Sequence, residues 1–365
     1  MNDAQTIRQL TSLRFFAAFW VVLFHYWPKL DVAFVPTFVE KGYLGVELFF
    51  ILSGFILCHV YRTSVEEHRF RYGSFLWARL ARVYPLHLAT LVGLGLVAGA
   101  ASIAGFAVDS NIVSWEALPA NLLLVQAWGF APVAGWNHPS WSISAEWFAY
   151  LTFPLFAWTV LRLQARPLLL AAGTALAMVG LYAGFEAAAG FPLTQATINW
   201  GALRIVPCFA YGCALHALWR ARPARDARLA LLGAAFSGAL VVAAAAFGAP
   251  DSIIVIALGA LIFTLARMAQ AGSQLFGNPT LEYLGEISYS VYMICVPWKI
   301  VFVNGATKLF KLNSEQLPLP LWIVFLLGVI PLAAASYHLI ERPARSRMKG
   351  WADSWQLGRP TVAGA

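Results

Sequence analysis

An arginine and a histidine share one apolar stretch near the N-terminus, LRFFAAFWVVLFH, which starts at Leu13 and holds Arg14 and His25. Eleven residues of α-helix turn through about 1100°, so both side chains lie on one face, roughly 16 Å apart along the axis. A neutral histidine can accept a proton near pH 7, and ionisable groups at membrane depth usually mark a functional site. The alternative is an arginine that snorkels to one interface and an interfacial histidine at the other.

The next apolar run contains a carboxylate. Residues 42–55 read GYLGVELFFILSGF, with Glu47 one turn beyond Tyr43. Ser53 and Gly54 have two interpretations. They predict either a helix irregularity that frees backbone groups for a ligand, or a close contact between two helices that needs no ligand.

A pair of arginines follows in the segment RLARVYP, residues 79–85. Arg79 and Arg82 are three residues apart on a predicted helix, so both guanidinium groups project to one side. Such a pair suits bidentate recognition of phosphate. The alternative is a basic segment that sets membrane topology and binds lipid head groups, and this is our interpretation of Arg62, Arg69 and Arg71.

The segment NHPSWSISAE, residues 137–146, opens a further apolar run. Asn137, Trp141 and Ser142 lie on a short loop that contains proline, a composition suited to binding a sugar ring. Glu146 supplies a second carboxylate close to them. The alternative for Glu146 is that it complements a helix dipole in the first turns of a helix.

These residues belong to a chain of 365 residues that is too apolar to be soluble. Hydrophobic residues make up 60% of it and charged residues 12%, with a mean hydropathy of +0.68. Typical soluble proteins are about 45–50% apolar and about 25% charged. A soluble core of this size could not hide so much apolar surface. We therefore predict an all-α, polytopic transmembrane helix bundle.

A membrane span needs about 20 apolar residues. This length predicts about ten spans, near 13–33, 42–61, 86–107, 143–161, 168–186, 199–219, 229–248, 252–268, 287–303 and 321–340. The run at 117–130 is too short to cross and is predicted to be a re-entrant or surface segment.

The net charge of +8, from 25 Lys and Arg against 17 Asp and Glu, has a topological explanation. Most of the basic residues fall in loops on one side of the ten predicted spans, which predicts that both termini are cytoplasmic. Membrane lipids, and not nucleic acid, are then the expected neighbours of these charges. A cleavable signal peptide is not expected, since His25 interrupts the first apolar run and no A-x-A site follows it. The four cysteines lie in apolar stretches and are expected to be reduced.

Taken together, these segments resemble the acyltransferase-3 family of integral membrane acyltransferases. Its features are an Arg and a His three turns apart, a G-x-x-G-V-[DE]-x-F-F-x-x-S-G-F span, an R-x-x-R-x-x-P run and a W-S-x-x-x-E segment. LGEISYSVY at 284–292 resembles its late G-x-x-S-Y-x-x-Y element, and YHLIERP at 337–343 resembles its closing I-E-x-P signature. The order and spacing agree from residue 10 to residue 345.

The chain also departs from the family pattern. Members often have a histidine after the late tyrosine element, where this chain reads MICVP at 293–297. Some members are fused to an SGNH-type hydrolase domain, which we do not expect here. We predict a single transmembrane acyltransferase domain at 1–345 and a short cytoplasmic tail at 346–365.

The resemblance implies transfer of a short acyl group, most often acetyl, from acyl-coenzyme A to a carbohydrate hydroxyl at the cell inner (plasma) membrane. Arg14, Arg79 and Arg82 would bind the phosphates of coenzyme A from the cytoplasm. Ser53 would lie beside the path of the pantetheine arm, which is comparable in length to the distance from Arg14 to His25.

A hydroxyl needs a general base to attack a thioester, and His25 is the candidate. Glu146 or Glu47 would orient its ring or position the acceptor, and an acyl-enzyme intermediate on His25 or a serine is the other possible course. Asn137, Trp141 and Ser142 would contact the carbohydrate. No metal is expected, and the oligomeric state is not predicted. The alternative function is a transporter or flippase for a lipid-linked or anionic solute, for which inverted halves would be expected.

Overall fold

A computed structural model describes residues 6–105, 108, 112–224, 226–312 and 314–357. The end of the predicted tail, 358–365, lies outside the described residues. Eleven helices of sixteen residues or more account for most of them. In chain order these are α1 (Arg8–Tyr26), α2 (Gly45–Glu66), α3 (Tyr72–Ile103), α4 (Trp141–Leu163), α5 (Pro167–Ala189), α6 (Gly201–Ala221), α7 (Ala227–Ala246), α8 (Asp251–Gln270), α9 (Pro279–Leu309), α10 (Leu319–Ser336) and α11 (Arg342–Leu357).

Each of the ten predicted spans overlaps one of the helices α1–α10, which confirms the all-α polytopic bundle. No β-strand occurs in the described part of the chain, where Leu30 and Leu317 form an isolated bridge. Nine helical segments there are long and apolar enough to cross a membrane. Helix α4 is not one of them, because Ser142, Ser144 and Glu146 lower the hydropathy of its first two turns. The placement of both termini in the cytoplasm assumes ten crossings and stays a prediction.

Glycines let α2 and α6 approach closely. A Cβ at Gly54 would collide with the carbonyl oxygen of Phe209, and a Cβ at Gly212 would collide with that of Ile51. Helix α2 runs without a break through Ser53 and Gly54. Of the two interpretations of this pair, the structure therefore supports the close helix contact and not the helix irregularity.

Helix α1 is held against α9 along its length. At one end, a Cβ at Gly285 would collide with the carbonyl oxygen of Thr11. At the other end, the Tyr26 hydroxyl donates to the carbonyl oxygen of Cys295 at 2.8 Å. The two helices therefore run parallel and in a defined register, which brings the Arg14–His25 face beside the late tyrosine element. All four cysteines of the chain are buried and free, as predicted.

The run at 117–130 does not cross the bundle. It forms a short helix, Leu118–Leu122, and a 3₁₀ turn, Gln126–Trp128, that pack beside the start of α4. Ser144 on α4 donates to the carbonyl oxygen of Leu124 at 2.8 Å and accepts from the amide of Ala127 at 3.0 Å. These bonds fix the position of the loop that precedes α4.

Helices α10 and α11 are joined by a π-helical turn, Tyr337–Glu341, which carries the closing motif. Such turns are rare in proteins, and many of those that occur lie at functional sites. The Trp77 indole donates to the carbonyl oxygen of Met348 at 2.7 Å, so α11 is docked on α3. The predicted domain boundary at residue 345 falls inside α11 and stays a prediction.

Candidate active site

A cavity of about 330 Å³ lies among α1, α2, α3, α4, α9 and the π-helical turn. Every motif singled out in the sequence contributes to its lining or to the helices that form it. Six of the predicted site residues line it: Arg14, Ser53, Arg79, Arg82, Ser142 and Glu146. Side chains that are far apart in the sequence are thus brought to one polar space inside an apolar bundle.

Four arginines line this cavity: Arg14, Arg79, Arg82 and Arg345. Among the described residues, no carboxylate lies within 4.0 Å of any of their guanidinium groups. Arg79 donates to the Tyr61 hydroxyl at 3.3 Å and lies over that ring. The charge of Arg82 acts on both Arg14 and Arg345. Because like charges repel at this range, the cluster favours a bound anion.

The carboxylates that line the cavity are satisfied by other groups. Three accept from neutral hydroxyls and one pairs with an arginine outside the cavity. These contacts are Ser53 to Glu146 at 2.7 Å, Tyr337 to Glu286 at 3.2 Å, Ser290 to Glu341 at 2.9 Å and Arg8 to Glu282 at 3.5 Å. The cavity arginines are therefore left without a close counter-ion from these acids.

Hydroxyl groups form the inner end of the cavity. The Tyr292 hydroxyl donates to the carbonyl oxygen of Pro139 at 2.9 Å, and the Ser142 hydroxyl donates to the Tyr292 oxygen at 2.8 Å. Tyr150 lies next to Glu146, is buried and also lines the cavity. The tyrosines of α9 were predicted only as part of a motif. Their place in the cavity depends on the packing of α9 against α1 and α3.

His25 lies three helical turns beyond Arg14 on α1, outside the lining of this cavity. Its half-buried ring meets Phe24 edge-on, and His138 and Lys299 are close enough to act on its charge. His138 belongs to the turn before α4. Burial and the neighbouring Lys299 lower the pKa of His138 from its ordinary value, so this histidine is neutral at pH 7. The sequence did not single out His138, because its neighbours come from two other helices.

Glu47 is part of a closed ion pair. Arg204 on α6 donates to both carboxylate oxygens of Glu47, at 2.5 and 3.0 Å, and to the carbonyl oxygen of Ala196 at 2.7 Å. The guanidinium also lies 4.6 Å from the ring centroid of Trp141. Glu47 is fully buried, and Arg204 is 2% exposed. Glu47 and Trp141 therefore meet Arg204 and do not line the cavity.

Asn137 anchors the loop before α4. Its amide donates to the carbonyl oxygen of Met293 at 2.9 Å and to the Thr90 hydroxyl at 3.2 Å, and the residue is fully buried. These bonds join the loop to α9 and α3. Its predicted contact with a carbohydrate stays a prediction.

A larger cavity of about 650 Å³ lies among α1, α7 and α8. Its lining consists of apolar side chains and one glycine, so it lacks groups for acid–base or nucleophilic chemistry. Within the described ranges, no three His, Cys, Asp or Glu side chains are grouped so that they could bind a metal ion. The smaller, polar cavity is the candidate active site.

Comparison with known proteins identifies the family of the chain. The model of the acyltransferase-3 family, described as an acyltransferase domain, matches residues 7–338. This chain belongs to the acyltransferase-3 family. It is 33% identical over 312 residues to "Acyltransferase MdmB" of Streptomyces mycarofaciens. This alignment covers 78% of this chain and 77% of that protein.

A second relative of this acyltransferase, "Protein 2 in picA locus" of Rhizobium radiobacter, is 51% identical over 51 residues. That match covers 14% of this chain and 27% of the relative. No solved structure gives a significant match. The chain is therefore a multi-pass membrane acyltransferase, and the comparisons favour acyl transfer over the alternative of a transporter.

Proposed function

We propose that this acyltransferase moves an acetyl group from cytoplasmic acetyl-coenzyme A to a hydroxyl of a cell-surface or lipid-linked carbohydrate, in the cell inner (plasma) membrane. The observation that carries the proposal is the set of four cavity arginines without a carboxylate partner within 4.0 Å among the described residues. Coenzyme A is a soluble anion with three phosphate groups. Guanidinium groups bind phosphate oxygens in bidentate geometry, which makes this cluster a suitable site for them.

The distance between the arginines and His25 fits this donor. Eleven residues of α1 separate Arg14 from His25, or roughly 16 Å along the helix. A pantetheine arm of comparable length would extend from phosphates at Arg14 and Arg82, past Ser53, toward His25. The thioester carbon would then lie near the predicted base.

The proposed reaction is direct acyl transfer. His25 accepts the proton of the acceptor hydroxyl while the hydroxyl oxygen attacks the thioester carbonyl carbon. The carbon–sulfur bond then breaks, the new ester is released, and His25 returns the proton to the coenzyme A thiolate. The other course, through an acyl-enzyme on His25 or a serine, requires that label from the donor stays on the protein in the absence of acceptor.

The two predicted carboxylates receive different roles. Glu146 lines the cavity and accepts from Ser53, so we assign it to positioning the acceptor. Glu47 is paired with Arg204, and we assign it to holding Trp141 and the start of α4 in place. Ser142 lines the cavity, whereas Asn137 and Trp141 are buried and do not line it. We therefore assign Asn137 and Trp141 to holding the carbohydrate-binding segment in place.

The test is product analysis with the purified protein. Labelled acetyl-coenzyme A is incubated with candidate glycans, and the product is assayed as label that alkali releases from an ester. The variant His25→Ala should lower the rate by about 10²–10⁴, the usual contribution of a general base. The matched control is His68→Asn, which changes an exposed histidine with positive φ in the loop after α2 and should leave the rate unchanged.

Near-normal transfer by a folded His25→Ala protein would overturn the mechanism. Folding is followed separately by size-exclusion chromatography in detergent. A protein that hydrolyses acetyl-coenzyme A but forms no ester with any glycan would contradict the proposal that the acceptor is a carbohydrate. The proposal that acetyl-coenzyme A is the donor would stand.

A further inference from the structure

Arg345 is a cavity arginine that the sequence did not assign to the donor site. It follows the π-helical turn, on the first turn of α11, and lines the cavity together with Arg79 and Arg82. Both of those arginines act on its charge. The acid nearest to it in the sequence, Glu341, accepts from Ser290 at 2.9 Å. Arg345 thus adds a positive charge that its own segment does not neutralise at close range.

The contacts between helices fix the level of Arg345 in the cavity. Trp77 on α3 bonds to Met348 on α11. Arg345 is one turn before Met348, and α11 approaches this contact from the inner side of the bundle. Arg345 therefore lies about 4.5 Å of helix rise from the level of Trp77, between Arg79 at about 3 Å and Arg82 at about 7.5 Å along α3.

Arg14 lies further inside the cavity. Thr11 is level with Gly285, where α1 touches α9, and the Tyr289 hydroxyl, one turn further on α9, donates to the carbonyl oxygen of Val83 at 2.6 Å. Arg82 precedes Val83 in the sequence, and its charge acts on Arg14, so Arg14 lies near Arg82. The four arginines therefore form two levels, with Arg79 and Arg345 toward the start of α3 and Arg14 and Arg82 about 3 Å or more of helix rise further along it.

Coenzyme A has its anionic groups at two corresponding levels. The diphosphate adjoins the pantetheine arm, and the 3′-phosphate of the ribose lies at the end remote from the thioester. With the thioester directed toward His25, the diphosphate meets Arg14 and Arg82. We propose that Arg345, with Arg79, binds the 3′-phosphate and selects coenzyme A over donors that lack it. The inference rests on the proposed use of acetyl-coenzyme A.

The test compares acetyl-coenzyme A with acetyl-3′-dephospho-coenzyme A, as donors in the transfer assay and as ligands in calorimetry. The wild-type protein should bind the complete donor at least about tenfold more tightly, because hydrogen bonds between charged groups contribute about one to two orders of magnitude in affinity. Arg345→Ala should weaken binding of the complete donor by about 10–100-fold. It should leave binding of the dephospho donor within about twofold, because the phosphate it would contact is already missing.

Arg347→Ala is the matched control, since it removes the same charge from an exposed position two residues along α11 and should not alter the preference. Arg345→Lys keeps the charge and should retain part of the preference even if the alanine variant does not fold. The proposal is overturned if a folded variant loses affinity for both donors equally. It is also overturned if the wild-type protein binds both donors with equal affinity while it still transfers acetyl groups. A wild-type protein that neither binds acetyl-coenzyme A nor transfers from it overturns the proposed function as well.

Discussion

The bundle holds a fully enclosed arginine and a set of half-buried arginines in two different ways. Arg204 is enclosed by a bidentate carboxylate, a carbonyl oxygen and an indole ring. The cavity arginines, such as Arg14 and Arg82, line an open polar space and lack a carboxylate within 4.0 Å among the described residues. A buried charge is costly unless it is paired. The chain supplies the partner of Arg204 itself, whereas the cavity arginines are available to a ligand from outside.

This difference separates stability from binding. Breaking a buried ion pair leaves an uncompensated charge and destabilises the fold strongly. Removing an arginine that has no close counter-ion among the described residues breaks no such pair. Breaking the Arg204 pair should therefore lower stability, whereas substitution of the cavity arginines should weaken ligand binding.

The largest effect is expected at the closed pair. Glu47→Gln leaves Arg204 buried without a counter-charge and should lower the free energy of unfolding by about 3–5 kcal/mol. The measurement is the thermal unfolding midpoint of the purified protein in detergent. The control is Glu40→Gln, which removes an exposed carboxylate near the start of α2 and should leave the midpoint unchanged.

A second variant makes this prediction sharper. The double substitution Glu47→Gln with Arg204→Met removes the unpaired charge as well and should recover much of the lost stability. If the Glu47→Gln protein unfolds at the wild-type temperature, the Glu47–Arg204 pair does not stabilise the fold, and the contrast with the cavity arginines is wrong.

The next largest effect is expected in the cavity. Arg79→Ala combined with Arg82→Ala should raise the Kd for acetyl-coenzyme A by about 10–100-fold, because charge-assisted contacts to phosphate are lost. The unfolding midpoint should change little. Arg71→Ala, an exposed basic residue just before α3, is the control and should bind as the wild-type protein does. Unchanged affinity in the double variant would return both arginines to a role in topology.

A smaller effect is expected at Glu146. Glu146→Gln keeps an oxygen that can accept from Ser53 but removes the charge, so kcat should fall by about tenfold, as the loss of about 1.4 kcal/mol of transition-state stabilisation would produce. The Kd for acetyl-coenzyme A should not change. A fully active variant would leave Glu146 with only its interaction with the dipole of α4.

Much of the fold and part of the site could be predicted from the sequence. The spans follow from hydropathy, and the Arg79–Arg82 pair follows from spacing within one helix, since both are local properties. The pairing of Glu47 with Arg204 joins residues on α2 and α6. A carboxylate inside a predicted span marked Glu47 as a candidate site residue, but its pairing with Arg204 depends on the close contact of the two helices at Gly54 and Gly212.

The sequence alone therefore determined that the chain is a multi-pass helix bundle of the acyltransferase-3 family, with Arg14 and His25 on one helical face. The tertiary structure decided which charged side chains are paired with each other and which line the cavity without a close carboxylate among the described residues. It assigned Glu47 to Arg204, placed His138 near His25 and added Arg345 to the cavity. The physical reason is that hydropathy and helical periodicity act within one segment. Pairing of charges and the shape of a cavity depend on how separate helices pack together.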